Sequence, residues 1–168
     1  MAGISRGANG IEKVAFGSAE IKKVSRGDTL IWQAVTLTAA GMNKNGVQTL
    51  PDTNRHRVTG WTVRPGFPQT VLDGDRIRII GTGLVVVLAH VNFSGTSSST
   101  VHSRWIVHNG VDVASQSASN QTNASLSPPT PIQVADGDYI WVDAQTSSTS
   151  FDRDDIVATS YITVTPVQ

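Results

Sequence analysis

Apolar and polar residues alternate along most of the chain after residue 34, and turn-forming dipeptides separate the alternating stretches. A period of two is typical of β-strands. Pairs such as Asn109-Gly110 and Asp136-Gly137 supply the positive-φ residues that tight hairpins need. The pattern therefore predicts an all-β fold in which strands form a two-sheet sandwich without long helices. The predicted strands are residues 35–40, 57–64, 77–80, 84–93, 101–108, 111–115, 139–144 and 156–165.

The stretch 84–93 is unusual because it is apolar on both faces. Its odd-numbered residues from 85 onwards form one apolar face, and Leu84, Val86 and Leu88 begin a second. One face fills the sandwich core, so the other needs a cover, either a second subunit or a long loop of the same chain. We predict a subunit interface at Leu84, Val86 and Leu88.

The stretch 101–108 predicts one core face and one solvent face. Large aromatic residues usually fill cores, so the same role is expected for Trp61, Tyr139 and Trp141, with stacking on sugars as the alternative. The segment 115–131, rich in Ser, Thr and Asn, is predicted to be a loop. In 101–108 the predicted core side is Val101, Trp105 and Val107, the solvent side is His102, Arg104 and His108, and Ile106 is a mismatch.

Two near-repeats, residues 11–18 and 21–28, precede this domain, and their chemistry differs from the rest. Both glutamates and three of the four lysines lie before residue 24. We predict two modules, residues 1–33 and 34–168, of which the first is a short β-repeat that attaches the chain to a larger structure. A helix is the alternative, because apolar residues of the repeat lie near helical spacing. The predicted attachment residues are Ile11, Val14, Phe16, Ile21, Val24, Leu30 and Trp32.

Composition narrows the possible partners. Thirteen basic and thirteen acidic side chains cancel, which argues against a nucleic-acid partner or an anionic membrane. The charges are uneven, however: residues 44–78 are rich in Lys and Arg and residues 112–155 in Asp, so opposite patches could meet between subunits. Cysteine is absent, and neither a signal peptide nor a membrane-spanning segment is predicted. We expect a soluble protein made in a cytoplasm, without membrane insertion.

No catalytic motif stands out. The sequence lacks a Gly-x-Ser-x-Gly elbow and a His-Glu-x-x-His site, and a triad from a scattered histidine with Asp112 and Ser103 would be a chance combination. We predict no enzyme activity and no cofactor. Carboxylate groups at 73/75, 136/138 and 152/154/155 lack the spacing of a calcium loop, so turn stabilisation is the expected role and calcium binding the alternative.

Three motifs follow one another in the second module: the strand opening Gly83-Leu84-Val85, the hairpin Asn109-Gly110 and the turn Ala135-Asp136-Gly137-Asp138-Tyr139. From residue 58 to the end, the order of these motifs resembles the jelly-roll domains of the complement globular-head and tumour-necrosis-factor-like superfamily, in the form found in bacteriophage structural proteins. The leading segment is similar to the short β-repeats that begin actinobacteriophage minor tail proteins. The resemblance implies a homotrimer displayed on a virion.

The function expected from this resemblance is that of a structural virion protein of a tailed bacteriophage, a trimeric minor tail protein at the tail tip that contributes to host adsorption. Residues 1–33 would bind other virion proteins, and a host-surface glycan is a further candidate partner. Two alternatives remain open: a capsid decoration protein that stabilises the head shell, and a free carbohydrate-binding lectin.

Overall fold

The structure is a computed structural model that describes residues 2–7, 10–16, 19–21, 23–26, 29–33, 36–94, 100–148 and 154–167. These residues form strands and no helix. The strands are β1 (Ala2–Gly7), β2 (Gly10–Phe16), β3 (Ala19–Ile21), β4 (Lys23–Arg26), β5 (Thr29–Gln33), β6 (Ala40–Lys44), β7 (His56–Arg57), β8 (Trp61–Val63), β9 (Val71–Leu72), β10 (Ile77–Arg78), β11 (Gly83–Asn92), β12 (Val101–His108), β13 (Val111–Ser119), β14 (Asn123–Leu126), β15 (Ile132–Val134), β16 (Tyr139–Thr146) and β17 (Tyr161–Pro166).

The chain divides into two compact units, Met1–Thr36 and Leu37–Gln168. In the first unit β1, β2 and β3 form an antiparallel sheet, and β4 pairs with β5. The near-repeats are therefore strands, and the helix alternative is wrong for their described residues. A glycine in the middle of a helix costs about 1 kcal/mol relative to alanine, which disfavours a helix through the repeat.

The second unit is a sandwich of two antiparallel sheets. The β11 sheet has the order β14-β11-β17-β6-β8, with β15 also pairing with β11. The β12 sheet has the order β13-β12-β16-β10-β9, with β7 also pairing with β16. Several neighbours are far apart in sequence, such as β11 beside β17 and β12 beside β16, as in a jelly roll, and the all-β sandwich prediction is confirmed.

The core lies between the inner faces of these sheets. Val85, Val87 and Ala89 of β11 are fully buried there, opposite Ile140 and Val142 of β16. Each such side chain contributes about 1.5–3 kcal/mol on burial. The alternation of β11 thus places its odd-numbered residues in the core, as predicted.

The hairpin between β12 and β13 has the tight turn that the pair Asn109-Gly110 predicts. Asn109 and Gly110 have φ values of 49° and 88°, the left-handed values that a two-residue hairpin turn requires. Both residue types tolerate this backbone. The strand on each side continues the same antiparallel ladder.

Several predicted strand bounds were wrong. The strand predicted at 35–40 lies at Ala40–Lys44, where the backbone pairs with β17. The predicted loop 115–131 contains the end of β13 and all of β14. Ala124 and Leu126 of β14 are buried while their neighbours are exposed, so the alternation was present but was hidden by a polar composition.

Candidate functional site

An apolar row lies on the outer face of the β11 sheet. Leu84 and Val86 are 46% and 45% exposed, and Leu88 on the same face is half-buried. Their neighbours across the sheet are polar: Val86 is in register with Thr165, and Leu88 with Thr163. The three predicted interface residues therefore share one surface, and two of them are open to solvent in the single chain.

A row of stacked rings and charges crosses the same face beside the apolar row. The guanidinium of Arg64 lies 4.1 Å from the ring centroid of Tyr161, which stacks on His90 at 5.3 Å. His90 Nδ1 is 2.8 Å from Ser125 Oγ, and Arg64 donates to Asn43. The row spans the sheet from β14 to β6 and holds the side chains in fixed orientations.

A loop covers only one side of this face. The ring of Phe67 lies over Gly41, so close that a Cβ at Gly41 would be 2.9 Å from the ring. Thr70 fixes the loop, because its hydroxyl accepts from Gly41 N at 2.9 Å and donates to Phe67 O at 2.8 Å. The alternative of a loop cover therefore holds at β6, while Leu84 and Val86 on β11 stay exposed.

The predicted attachment residues all lie in strands of the first unit. Ile11, Val14 and Phe16 belong to β2, and Ile21 to β3. Val24 lies in β4 and is half-buried. Leu30 and Trp32 belong to β5, where Trp32 is in register with Val24. The last pair places two of the attachment positions side by side in one hairpin.

Stacked arginines and aromatic rings occupy the outer face of the β12 sheet. The guanidinium carbons of Arg55, Arg57 and Arg76 lie 4.6, 4.4 and 4.0 Å from the ring centroids of Trp105, Trp141 and Tyr139 respectively. The prediction that these three aromatics fill the core is therefore wrong. Trp61 alone among the predicted aromatics belongs to the core cluster.

Carboxylates hold one of these arginines in place. Arg55 donates to both oxygens of Asp112, at 2.8 and 2.6 Å, and to Asp143 at 2.8 Å. The hydrogen bonds from Arg55 lower the pKa of Asp112. The basic and acidic stretches of the sequence thus meet within one chain at this point, where a contact between subunits was considered.

Polar side chains from β12 point into the sandwich, opposite to prediction. His102 and Arg104 are fully buried, and Ile106 between the same sheets is a core residue. His102 Nε2 lies 2.6 Å from Asp154 Oδ2, and its ring stacks on Phe93 at 4.3 Å. The alternation in 101–108 was recognised, but the face assigned to the core was the wrong one.

Arg104 connects the two sheets through backbone carbonyls. It donates to Val91 O of β11 at 3.0 Å and to the carbonyls of Gln121 and Thr122 at 2.8 and 2.9 Å. Burial lowers the pKa of Arg104 to about 10. Its role is structural, since three carbonyl acceptors compensate for part of the cost of burying the charge.

The described residues do not assemble the triad that was considered. Asp112 is bonded to Arg55, and Ser103 accepts from Ser117 at 2.7 Å. Three histidines instead pair with single carboxylates: His56 with Asp52, His102 with Asp154, and His108 with Asp138. Only the first pair has a short sequence spacing, so sequence reasoning could not find the other two.

The carboxylate groups stabilise turns and loops. Asp75 accepts from Gly60 N at 2.7 Å and Asp136 accepts from Gly81 N at 2.9 Å. Burial alone would raise the pKa of Asp138, but hydrogen bonds from Ala135 N, Asn109 and His108 together lower it. Asp152 lies outside the described residues. Within the described residues no group of three or more His, Asp or Glu side chains could hold a metal ion.

Comparison with known proteins identifies the fold. No protein-family model matches the chain, and no curated protein matches it in sequence. The structure of Eiger TNF from S. frugiperda matches with a TM-score of 0.55 and 16% identity, covering 79% of this chain and 93% of that one. Murine APRIL at pH 8.5 matches with a TM-score of 0.47 and 15% identity, covering 77% and 99%.

The likeness to Eiger TNF defines the second unit as a TNF-like jelly-roll sandwich. Its sheet order and its described strands agree with this fold. In the part of the chain that the structure describes, no helix is long and apolar enough to cross a membrane.

Proposed function

We propose that this chain is a structural, non-enzymatic protein that self-associates through the outer face of the β11 sheet. The observation that carries the proposal is the exposure of Leu84 and Val86 on a strand whose opposite face is fully buried. A strand that is apolar on both faces has its lowest free energy when both faces are covered. The covering loop reaches Gly41 but leaves these two side chains in solvent.

The free energies of burial and association require the whole outer face of the β11 sheet to contribute to self-association. Burying a Leu or Val side chain completely is worth about 1.5–3 kcal/mol, so the half that is still exposed on Leu84 or Val86 is worth about 1 kcal/mol. Six such side chains in a trimer give roughly 6 kcal/mol. Association costs about 4–15 kcal/mol for each copy that is added, and a trimer needs two such steps, so the stacked row of Arg64, Tyr161 and His90 must contribute as well.

The trimer and the virion rest on the sequence resemblance. We propose that three copies assemble around this face and that residues 1–33 attach them to other virion proteins. The most specific form of the proposal is a minor tail protein at the tail tip that contributes to host adsorption. The separate N-terminal unit built from short strands supports an attachment segment.

A non-enzymatic role is supported by the hydrogen bonding of the histidines. A hydrolytic triad needs one histidine between a hydroxyl and a carboxylate. In the described chain His90 is bonded to a serine alone, and His56, His102 and His108 are bonded to aspartates alone.

Light scattering of the full chain tests the self-association. We expect an oligomer for the wild type and a monomer for Leu84→Asp combined with Val86→Asp, because charges on this face would lose water on contact. Val111→Asp is the matched control, since Val111 is 66% exposed but lies on the β12 sheet. A monomeric wild type, or an oligomer that survives the double substitution, would refute the interface.

Labelling purified virions with an antibody against the jelly roll tests the location. Signal at the tail end supports the minor tail protein. Signal over the head would assign the chain to capsid decoration, and absence of signal from intact particles would refute the virion role. The oligomer experiment is independent of this result.

A further inference from the structure

Two arginines on the outer face of the β12 sheet have no carboxylate partner among the described residues. Arg55 and Arg76 each form ion pairs, whereas Arg57 and Arg78 form none there and are exposed. Arg57 is in register with Asp143 and Arg78 with Tyr139. Four residues of strand therefore separate the two positions, a distance of about 13 Å.

A donor and an acceptor without partners among the described residues lie on this stretch of β16, at Trp141 between the two arginines and at Asp143 beside Arg57. Trp141 Nε1 and Asp143 Oδ1 are buried and make no hydrogen bond within the described structure. Trp141 is only 9% exposed, and its ring lies beneath the guanidinium of Arg57. A hydroxyl group can accept from the indole and donate to the carboxylate, so the pair matches the chemistry of a sugar.

We propose that this face binds a linear acidic polysaccharide. Its oxyanions would pair with Arg57 and Arg78, and its hydroxyls would satisfy Trp141 Nε1 and Asp143 Oδ1. A planar guanidinium presents paired N–H groups at its edge, the geometry that carboxylate and sulfate groups accept. Among the described residues, stacking on Trp141 is the contact that holds the Arg57 side chain, so Arg57 can move from the indole to the ligand and open the site.

The charges on this face favour a polysaccharide over a nucleic acid. Asp112 and Asp143 lie among the arginines, and Asp73 pairs with Arg76 beside them. A DNA strand carries one charge per about 3.4 Å, so its phosphates would meet these carboxylates. An acidic polysaccharide has sparser oxyanions and many hydroxyls, which suits two separated cations with a donor and an acceptor nearby.

This inference deepens the proposed adsorption role and rests on it for its biological meaning. The experiment measures binding of the full chain to four immobilised probes: polygalacturonate, dextran sulfate, neutral dextran and single-stranded DNA. We expect binding to an acidic polysaccharide and none to neutral dextran. Whether carboxylate or sulfate is preferred identifies the oxyanion, and either preference supports the proposal.

Variants of the full chain test the residues. Arg57→Gln combined with Arg78→Gln should weaken binding by about tenfold or more, since each arginine supplies charge-assisted hydrogen bonds. The control is Asp73→Asn combined with Arg76→Gln, which removes a stacked arginine but keeps the net charge. The affinity of this control variant for the polysaccharide should stay within about twofold of the wild type, because an arginine already paired with a carboxylate contributes little to binding the ligand.

Four results would overturn the inference: no acidic polysaccharide binds, neutral dextran binds equally well, the control loses as much affinity as the test variant, or DNA binds more tightly than either acidic polysaccharide. Light scattering of the same samples reports the oligomer separately. A failure of glycan binding with an intact oligomer is thus distinguishable from a failure of the self-association proposal.

Discussion

Replacing Arg104 by methionine tests whether this buried arginine holds the two sheets together. The side chain is fully buried on β12 and donates to three backbone carbonyls, those of Val91, Gln121 and Thr122. Methionine keeps an unbranched apolar stem and removes every donor. The substitution therefore separates the hydrogen bonds from most of the packing.

Two opposing effects decide the magnitude. Each carbonyl that is left without its donor costs about 1–3 kcal/mol; because Thr122 O still accepts from Phe93 N at 2.7 Å, the losses at Val91 O and Gln121 O give roughly 4 kcal/mol. The lowering of the pKa of Arg104 to about 10 corresponds to a desolvation cost of roughly 3 kcal/mol, which the methionine variant no longer bears. The net expectation is that Arg104→Met lowers the free energy of unfolding by about 1 kcal/mol.

Urea unfolding at one fixed protein concentration measures this change, because the stability of an oligomer depends on concentration. We expect a lower midpoint with an unchanged slope. Arg57→Met is the control, since that arginine is exposed and only stacks on Trp141, an interaction worth about 0.5–1 kcal/mol. A midpoint for Arg104→Met equal to or above the wild type would show that the buried charge costs more than its hydrogen bonds return, as happens at some buried ion pairs.

Two further predictions concern the loop over β6 and the response to acid. Gly41→Ala should lower the free energy of unfolding by about 1–3 kcal/mol through crowding against Phe67. Phe67→Leu in the same chain should recover most of that lost stability. A double-mutant cycle that shows no coupling between the two positions would contradict the contact. The folded state lowers the pKa of Asp52 to about 2 and also lowers the pKa of Asp112 and Asp138. The stability that these carboxylates contribute is therefore present above their ordinary pKa of 3.8 and is lost as the pH falls toward 2. The thermal midpoint should therefore fall more steeply between those pH values in the wild type than in Asp112→Asn, and parallel declines would argue against the role of that carboxylate.

The sequence allowed the fold class and the strands with strong alternation to be predicted. The predicted strand 101–108 has the observed bounds of β12, because turn signals and β-branched residues surround it. Its faces were reversed because the partners that satisfy His102 and Arg104 lie far away in sequence, at Asp154 and at backbone carbonyls from 91 to 122. Local alternation reports which residues share a face, but it does not report which face a distant element covers.

Local sequence patterns also did not predict that arginines stack on aromatic rings at the β12 face. Trp105 and Trp141 are large aromatic residues of the kind that usually fill cores. They face outward here, and guanidinium groups cover their rings. Arg55 reaches Trp105 and Asp112 across a sequence gap of fifty residues or more. A large aromatic residue on a strand can therefore lose much of its contact with water on the outside of a sandwich when an arginine lies over it.

The two outer faces of the sandwich favour different kinds of contact. The β11 face exposes Leu84 and Val86, and covering them releases water from apolar surface, which favours contact with a second copy. The β12 face exposes Arg57 and Arg78, which have no carboxylate partner among the described residues. Burying them against an identical face would bring like charges together, because the carboxylates of that face are already paired with Arg55 and Arg76. Self-association is therefore expected at the β11 face, and the β12 face is expected to remain in solvent, where an anionic ligand can supply the charges that a second copy cannot.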